Sequence, residues 1–453
     1  MNVPKLEADL GIEVYASKSR GIGGTIKHKP EEFIVEEVLT DGSKASVQPS
    51  DKTIPPSERG RYLVCILIKK GWDTFAAVRK VAHQIGISPD RINVAGIKDA
   101  RALTAQHVSI WGVPVERLQR VDLKGIVITP IRFSSEKIST RLLLGNQFNI
   151  IVRSIGYGQA TVQKRIQEAC VELTTLGGIP NFFGHQRFGT IRSASHCVGR
   201  LLVKGNFEEA ALVFLSEPSR HENPAAKEAR RFLRETRDFK SALRMFPRNL
   251  VYERVMLVRL SKHPRDFLGA FRRAPSSLRL FLVQAYQSFL FNRFLSERMR
   301  RGISISRAQI GDYVVDLDER GLPAKSFRKA EESSISKIEQ KIEGRKMTVA
   351  IPLVGFRQLP SDGVQGEIEE EILERELTTP DDFRLQKMPE ASAAGGLRTA
   401  LAPVCNLGIE VEDQPADQDG LNAGFHFLLH KGSYATILLR EFMKPRDLVR
   451  AGF

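Results

Sequence analysis

The stretch Arg61-Tyr-Leu-Val-Cys-Ile-Leu-Ile68 is a continuous apolar run of strand length, and together with the helical pattern behind it this run decides the fold class. A run without polar alternation predicts a strand buried on both faces. Asp73-Thr74 then offers an N-cap. Phe75, Val78, Val81, Ala82 and Ile85 recur at helical spacing, and Gly86 supplies a stop. A buried strand running into an amphipathic helix predicts an α/β domain. Further along, Phe148, Ile150 and Val152 alternate with Asn149 and Arg153, which predicts a half-buried strand over 147–153. Residues 161–175 carry Val162, Ile166, Ala169, Cys170 and Leu173 on one helical face.

From about 195 to 300 the texture becomes helical and strongly basic, densest at Lys227-Glu-Ala-Arg-Arg-Phe-Leu-Arg-Glu-Thr-Arg237. Leu278, Phe281, Leu282, Ala285 and Phe289 mark a long helix running on through Arg298. Residues 303–356 look mixed, and an acidic helix is expected over 366–376. Met388-Pro-Glu-Ala-Ser-Ala-Ala-Gly-Gly396 reads as a flexible connection of small residues. Strands return at 408–412 and 425–429. A strand-rich end matching a strand-rich start predicts a discontinuous domain, 1–194 with 401–453, and a mainly helical insertion over 195–400.

At 453 residues the chain is long enough for two or three domains. It has no apolar run of membrane-spanning length, and residues 1–20 lack the apolar stretch of a signal peptide, so the cytoplasm is the expected compartment. The four cysteines (Cys65, Cys170, Cys197, Cys405) are scattered, with no C-x-x-C pair, which argues against a disulfide framework and against a cysteine zinc site. The nine histidines are likewise dispersed. No metal is expected. Lys plus Arg number 68 against 53 Asp plus Glu, a formal net charge of +15. That surplus favours a polyanionic partner, because each neutralised phosphate releases condensed counterions. Charge alone leaves DNA, RNA, a membrane surface and simple solubility all open.

Four segments carry candidate chemistry. In Val94-Ala-Gly-Ile-Lys-Asp-Ala-Arg-Ala-Leu-Thr-Ala-Gln106, Asp99 lies between Lys98 and Arg101. Flanking cations depress a carboxyl pKa, which suits a nucleophile or base that must stay ionised. A helix cap or a surface ion pair remains open from these residues alone. In Gly177-Gly-Ile-Pro-Asn-Phe-Phe-Gly-His-Gln-Arg-Phe-Gly189, Phe182, Phe183 and Phe188 interleave with Asn181, His185, Gln186 and Arg187. Stacking faces beside base-edge donors equip a loop for single-stranded RNA, and a glycine turn with core phenylalanines is the competing reading. In the third segment, Phe425 to Glu441, Phe425, Phe427 and Leu429 share one strand face, Ser433 can cap a helix, and Arg440 and Glu441 are expected to pair. In Ile26-Lys-His-Lys-Pro-Glu-Glu-Phe-Ile-Val-Glu-Glu-Val38, Lys27 and Lys29 precede an edge-like strand and could hold phosphate, or be merely solvated.

Together these segments resemble the signature of the TruD family of pseudouridine synthases. They stand in family order: K-x-x-P-E-[DE]-F-x-V-E-E, A-G-x-K-D-x-x-A-x-T-x-Q, N-[FY]-F-G-x-Q-R-F-G and F-x-L-x-x-G-S-[YF]-A-T-x-x-x-R-E, spanning Lys27 to Glu441. Gly145-Asn-Gln-Phe148 and Ala285-Tyr-Gln-Ser-Phe-Leu-Phe-Asn292 also resemble family stretches. The resemblance implies that Asp99 is the catalytic aspartate and Lys27 a basic residue near it. It implies that Asn181, Phe183 and Phe427 line the substrate pocket, with Gln186 and Arg187 beside them. It further implies isomerisation of uridine in RNA, typically uridine 13 of tRNA, with base flipping and no cofactor; no protein partner is expected to be required. The implied fold is an α/β (α+β) pseudouridine-synthase core, a mixed and mostly antiparallel sheet flanked by helices, with an inserted domain forming a cleft. His430 departs from the pattern, standing where relatives have proline, and residues 366–396 have no match in it.

Two rival readings remain. A non-catalytic RNA-binding protein on the same scaffold would have no use for an intact G-x-K-D. A basic DNA- or membrane-surface protein would have no use for the aromatic loop at 181–189.

Overall fold

A computed structural model of the chain describes residues 2–48, 60–189, 192–219, 221–413 and 420–453. The chain divides into two compact units, Ala16–Ile179 with Ala402–Phe453, and Met1–Tyr15 with Pro180–Leu401. The sequence breaks at 194 and 400 and these spatial breaks differ chiefly by two stretches, 1–15 and 180–194, which fall in the helical unit. Both pack within that unit: Asn181 N donates to Ala400 O, and Phe188 shares an apolar cluster with Leu10 and Ala285. No helix among the described residues is long and apolar enough to cross a membrane.

The first unit is built on an 8-stranded sheet. Its order is Val404–Asp413, Leu421–His430, Leu143–Ile155, Phe33–Leu39, Leu103–Trp111, Tyr62–Lys70 and Ile126–Ser134, with Ile92–Val94 paired beside Leu103–Trp111. Phe33–Leu39 runs parallel to Leu103–Trp111, and the other pairings are antiparallel. The sheet is thus mixed and mostly antiparallel, as the resemblance implied. The apolar run forms the Tyr62–Lys70 strand, with Leu63, Val64, Cys65, Leu67 and Ile68 buried. The Thr74–Gln84 helix comes next, capped by Asp73, whose carboxylate accepts from Ala76 N at 3.0 Å. Its Ala77, Val78, Val81 and Ala82 pack with Leu63, Cys65, Leu67, Val108 and Ile110. Burying each large aliphatic side chain contributes about 1.5–3 kcal/mol, which holds the helix on the sheet. The Gln159–Leu176 helix buries Val162, Ile166, Ala169 and Leu173, whereas Cys170 is only half-buried.

One expectation fails here. Phe33–Leu39 is not an edge strand but the middle one, paired on both sides. Its acidic alternation suggests a solvent-facing strand, yet Glu36 and Glu37 are buried. Lys44 pairs with the first, and Lys98 and His107 with the second. Neutralised charge is tolerated where bare charge is not.

The second unit centres on the 25-residue helix Ser276–Arg300, against which the Ser195–Val203 helix packs. Their approach is close: a Cβ at Gly199 would stand 2.0 Å from Leu282 O. A 4-stranded antiparallel sheet, Gly396–Thr399, Met347–Leu353, Tyr313–Leu317 and Pro323–Lys329, completes the unit. Residues 388–396 are not a flexible connection. Met388, Ala391 and Ala393 are buried, and Gly395 sits at φ +86° where a Cβ would lie 2.7 Å from Leu353 O. The small residues there serve close backbone packing rather than mobility.

Candidate active site

The loop after the Ile92–Val94 strand brings Asp99 into a network of ions. Gln106 on the Leu103–Trp111 strand donates to Gly96 O at 3.1 Å, and Lys98 N donates to Thr74 Oγ1 at 3.0 Å, which fixes the loop from two sides. Asp99 does not pair with its sequence neighbours. Lys98 turns inward to Glu37 Oε1 at 2.7 Å, while Arg101 offers only its main-chain N–H, 2.8 Å from Asp99 Oδ1. The partner is Lys27, whose Nζ lies 2.6 Å from Oδ2. Lys27 is held at φ +61°, a left-handed conformation costly for a lysine, and its ammonium stands 4.5 Å from the centre of the Phe33 ring. The Lys27 side chain is 4% exposed and that of Asp99 26%, so the anion is open while its cation is enclosed.

Burial pushes the Asp99 carboxyl up. Lys27, by charge and hydrogen bond, then the Arg101 N–H and Lys69, outweigh it and hold the pKa below the usual range. The expected direction stands, but its cause is a lysine 72 positions away rather than the adjacent ones. Glu37 behaves alike: burial raises it, and His107 and Lys98 together bring it below its ordinary value. Phe427 is fully buried and stacks on Phe148 with ring centres 5.2 Å apart, and Phe148 meets Phe33 edge-on at 6.4 Å. Phe427, Phe148, Phe33, Lys27 and Asp99 therefore form one continuous row within the first unit. Lys29 is exposed, its main-chain N–H donating to Glu32. Arg440 and Glu441 do pair, at 2.6 Å, fully buried, and Glu441 also accepts from Ala16 N and from Ser17.

Asn181, Phe183, Gln186 and Arg187 belong to the second unit. Asn181 is locked by Arg398, which donates to its main-chain oxygen at 2.8 Å and to its side-chain Oδ1 at 2.6 Å. Because a guanidinium only donates, the amide orientation is fixed, and Nδ2 donates to Thr399 Oγ1 at 2.8 Å. The same guanidinium covers the Phe183 ring at 4.0 Å, and Phe291 meets that ring edge-on at 5.5 Å. Asn292 clamps the Phe183 backbone, accepting from its N–H at 2.8 Å and donating to its carbonyl at 3.1 Å. Arg187 donates to Gln284 and Ser288 and lies 5.0 Å from the Phe281 ring. Gln186 is half-buried in the His185–Arg187 turn. Phe182 and Phe188 are fully buried, so of the three phenylalanines only Phe183 is left to stack on a base. Sequence reasoning does not find Arg398 or Lys69. Arg398 lies in no motif, while Lys69 is signalled only by a charge closing an otherwise buried strand. No group of three or more His, Cys, Asp or Glu among the described residues is arranged to hold a metal ion.

Comparison with known proteins adds to this geometry. The family model described as tRNA pseudouridine synthase D (TruD) matches residues 9–442. A protein of Methanosarcina acetivorans named "Probable tRNA pseudouridine synthase D" is 37% identical over 455 residues, covering 99% of each chain. One of the same name from Methanopyrus kandleri is 39% identical over 386 residues, 85% of this chain and 86% of the relative. A crystal structure from Methanosarcina mazei, named "Putative tRNA pseudouridine synthase D (TruD)", matches with a TM-score of 0.81 at 34% identity. It covers 98% of this chain and 99% of its own.

Proposed function

The chain belongs to the TruD family of tRNA pseudouridine synthases, and from that premise we propose that it converts uridine 13 of tRNA to pseudouridine, with Asp99 as the acting carboxylate. The observation that carries this reading is the Lys27–Asp99 pair, an anion kept ionised by an enclosed cation at 2.6 Å and left a quarter exposed. Isomerisation breaks the N1–C1′ bond, turns the uracil and joins C5 to C1′, with the C5 proton lost and N1 protonated. Nothing is oxidised or hydrolysed, so an ionised carboxylate acting on the ribose at C1′ or C2′ suffices without a cofactor.

The target nucleotide leaves its stack to be reached, and stacking on the half-buried Phe183 ring offsets part of that cost, while the buried Phe427 supports the Phe33 ring through Phe148. Asn181, with its oxygen facing Arg398, keeps an Oδ1 lone pair and one Nδ2 hydrogen for the uracil edge. That edge presents an N3–H donor beside a carbonyl, the reverse of cytosine. Gln186 and Arg187 support the same loop. The sheet unit is the catalytic domain. The helical insertion, rich in arginine, holds the tRNA backbone through phosphate contacts that carry no sequence information. The enzyme acts in the cytoplasm.

The test is modification mapping on transcribed tRNA. Asp99→Asn is expected to lower pseudouridine formation by on the order of 10³-fold or more while tRNA binding survives. A variant that still modifies tRNA would overturn the role of Asp99, and a wild type that modifies no RNA would overturn the activity.

A further inference from the structure

Lys69 is the penultimate residue of the Tyr62–Lys70 strand and is completely buried. Its three N–H groups meet three main-chain carbonyls: Trp72 O at 2.7 Å, Asp99 O at 2.8 Å and Lys98 O at 3.4 Å. Lys27 and Lys98 each touch a carboxylate, but the ammonium of Lys69 is solvated by peptide dipoles. Removing a cation from water in this way is costly, and here the cost is offset by the three carbonyls it serves rather than by an ion pair. What the arrangement achieves is geometric. One of the carbonyls belongs to the turn that starts the Thr74–Gln84 helix, and the other two belong to Asp99 and the residue before it. Lys69 therefore pins the loop that carries the acting carboxylate to the rigid sheet and helix.

We infer that Lys69 is a positioning residue for the reaction, its charged ammonium fixing the backbone of Asp99 so that the carboxylate stands where the ribose must meet it. The inference rests on Asp99 being the acting group. Protonation matters because a neutral amine has two N–H groups and a lone pair. Facing three carbonyls, it loses one bond and gains one repulsion, and the loop is released. The charged groups around it are Asp99 and Lys98 on the loop, Asp73 on the turn, and, one contact further, Lys27 bound to Asp99 and the Glu37–His107 pair bound to Lys98. Burial pushes the Lys69 ammonium down to about 8, with Asp99 and Asp73 opposing the fall and Lys98 adding to it. It is charged at neutral pH and loses its proton in the mildly alkaline range.

The test measures single-turnover pseudouridine formation and tRNA affinity from neutral to alkaline pH for wild type, Lys69→Arg and Lys69→Met. Wild type should lose rate above pH about 8 with tRNA affinity unchanged. Lys69→Arg, whose guanidinium stays charged, should keep activity at neutral pH and carry its alkaline limb to higher pH. Lys69→Met should lose roughly 10²-fold in rate without loss of tRNA affinity. Titration of the substrate's own N3 would affect all three proteins alike, so the displacement of the limb in Lys69→Arg isolates Lys69. A wild-type rate that stays flat through the alkaline range, an Arg variant whose limb does not move, or a fully active Met variant each overturns the inference. A flat wild-type profile overturns the inference even if neither variant folds. Asp99→Asn separates the two failures: if it is inactive and the wild-type rate is flat, only the role of Lys69 falls.

Discussion

Around Asp99, three lysines and two carboxylates share one network tied into the sheet, whereas around Asn181 and Phe183 a single guanidinium, that of Arg398, serves both residues. The first region holds charge and the second holds shape. Where the proposed function needs an anion, the three lysines of the network are already committed, so little has to rearrange as charge develops. Where the proposed function needs a neutral base to be read, the amide is made unambiguous by a partner that can only donate, and the ring is held between a cation and another ring. Even inside the first region the roles divide. Asp99 and Glu37 each face a lysine at nearly the same distance, 2.6 and 2.7 Å, and each has both oxygens bonded, yet Glu37 is sealed from solvent while Asp99 stays open.

That division can be broken most severely at Glu37. Glu37→Gln leaves the Lys98 ammonium buried without its anion, and the expected loss is about 3–5 kcal/mol of stability. Denaturant titration would read it as a lower midpoint at unchanged slope. The sign with pH comes from the depressed pKa of Glu37. Its contribution is fully present above the ordinary carboxylate range and is lost as pH falls through its lower native value. The difference between the two proteins should therefore be largest near neutrality and shrink in acid. A change within experimental noise at neutral pH would mean that Lys98 and Glu37 do not form a supporting pair.

Lys27→Met attacks the open pair instead. Stability should change less, because Asp99 is partly exposed and can be solvated. Activity should fall by roughly 10²-fold through lost orientation of the carboxylate. Without the lysine, the burial that pushes Asp99 upward is less opposed, so the acid limb of the rate profile moves to higher pH. A variant with normal rate and an unmoved acid limb would show that the 2.6 Å contact is incidental.

How much of the molecule is legible in the sequence depends on the range of the interactions. The Tyr62–Lys70 strand, the Asp73 cap and the Thr74–Gln84 helix are local events, written in consecutive residues, and they can be read directly. Asp99 stands out by its motif, but its chain neighbours point to Lys98 and Arg101 as its cations; the family resemblance alone points to Lys27, which the fold places beside it while Lys98 turns to Glu37. The acidic Phe33–Leu39 strand reads as an edge because pattern rules assume that charge faces water. It can be central because Lys44, just past the strand, and Lys98, 61 positions away, neutralise the two acids. Residues 388–396 mislead for a related reason. Glycine and alanine mark flexible chain and close backbone contact equally well, and composition does not separate the two. Arg398 lies 217 residues from the asparagine it orients, with no local pattern to announce it.

The smallest expected effect, and the sharpest test of the second region, is Arg398→Met. Methionine keeps an apolar cover over Phe183 but offers no donor, so both bonds to Asn181 disappear and the amide is free to turn over. A turned amide presents N–H where the uracil N3–H must be accepted, and the pairing becomes donor against donor. Losing one well-made hydrogen bond to the substrate costs about 1 kcal/mol, so kcat/KM should fall roughly tenfold or somewhat less. The loss should fall mainly on KM, because Arg398 lies outside the Asp99 network and leaves its ions paired. The acid limb set by Asp99 should stay in place, in contrast to Lys27→Met. A loss confined to kcat, or a displaced acid limb, would mean that Arg398 acts on the chemistry rather than on the reading of the base, and the contrast between charge and shape would have to be redrawn.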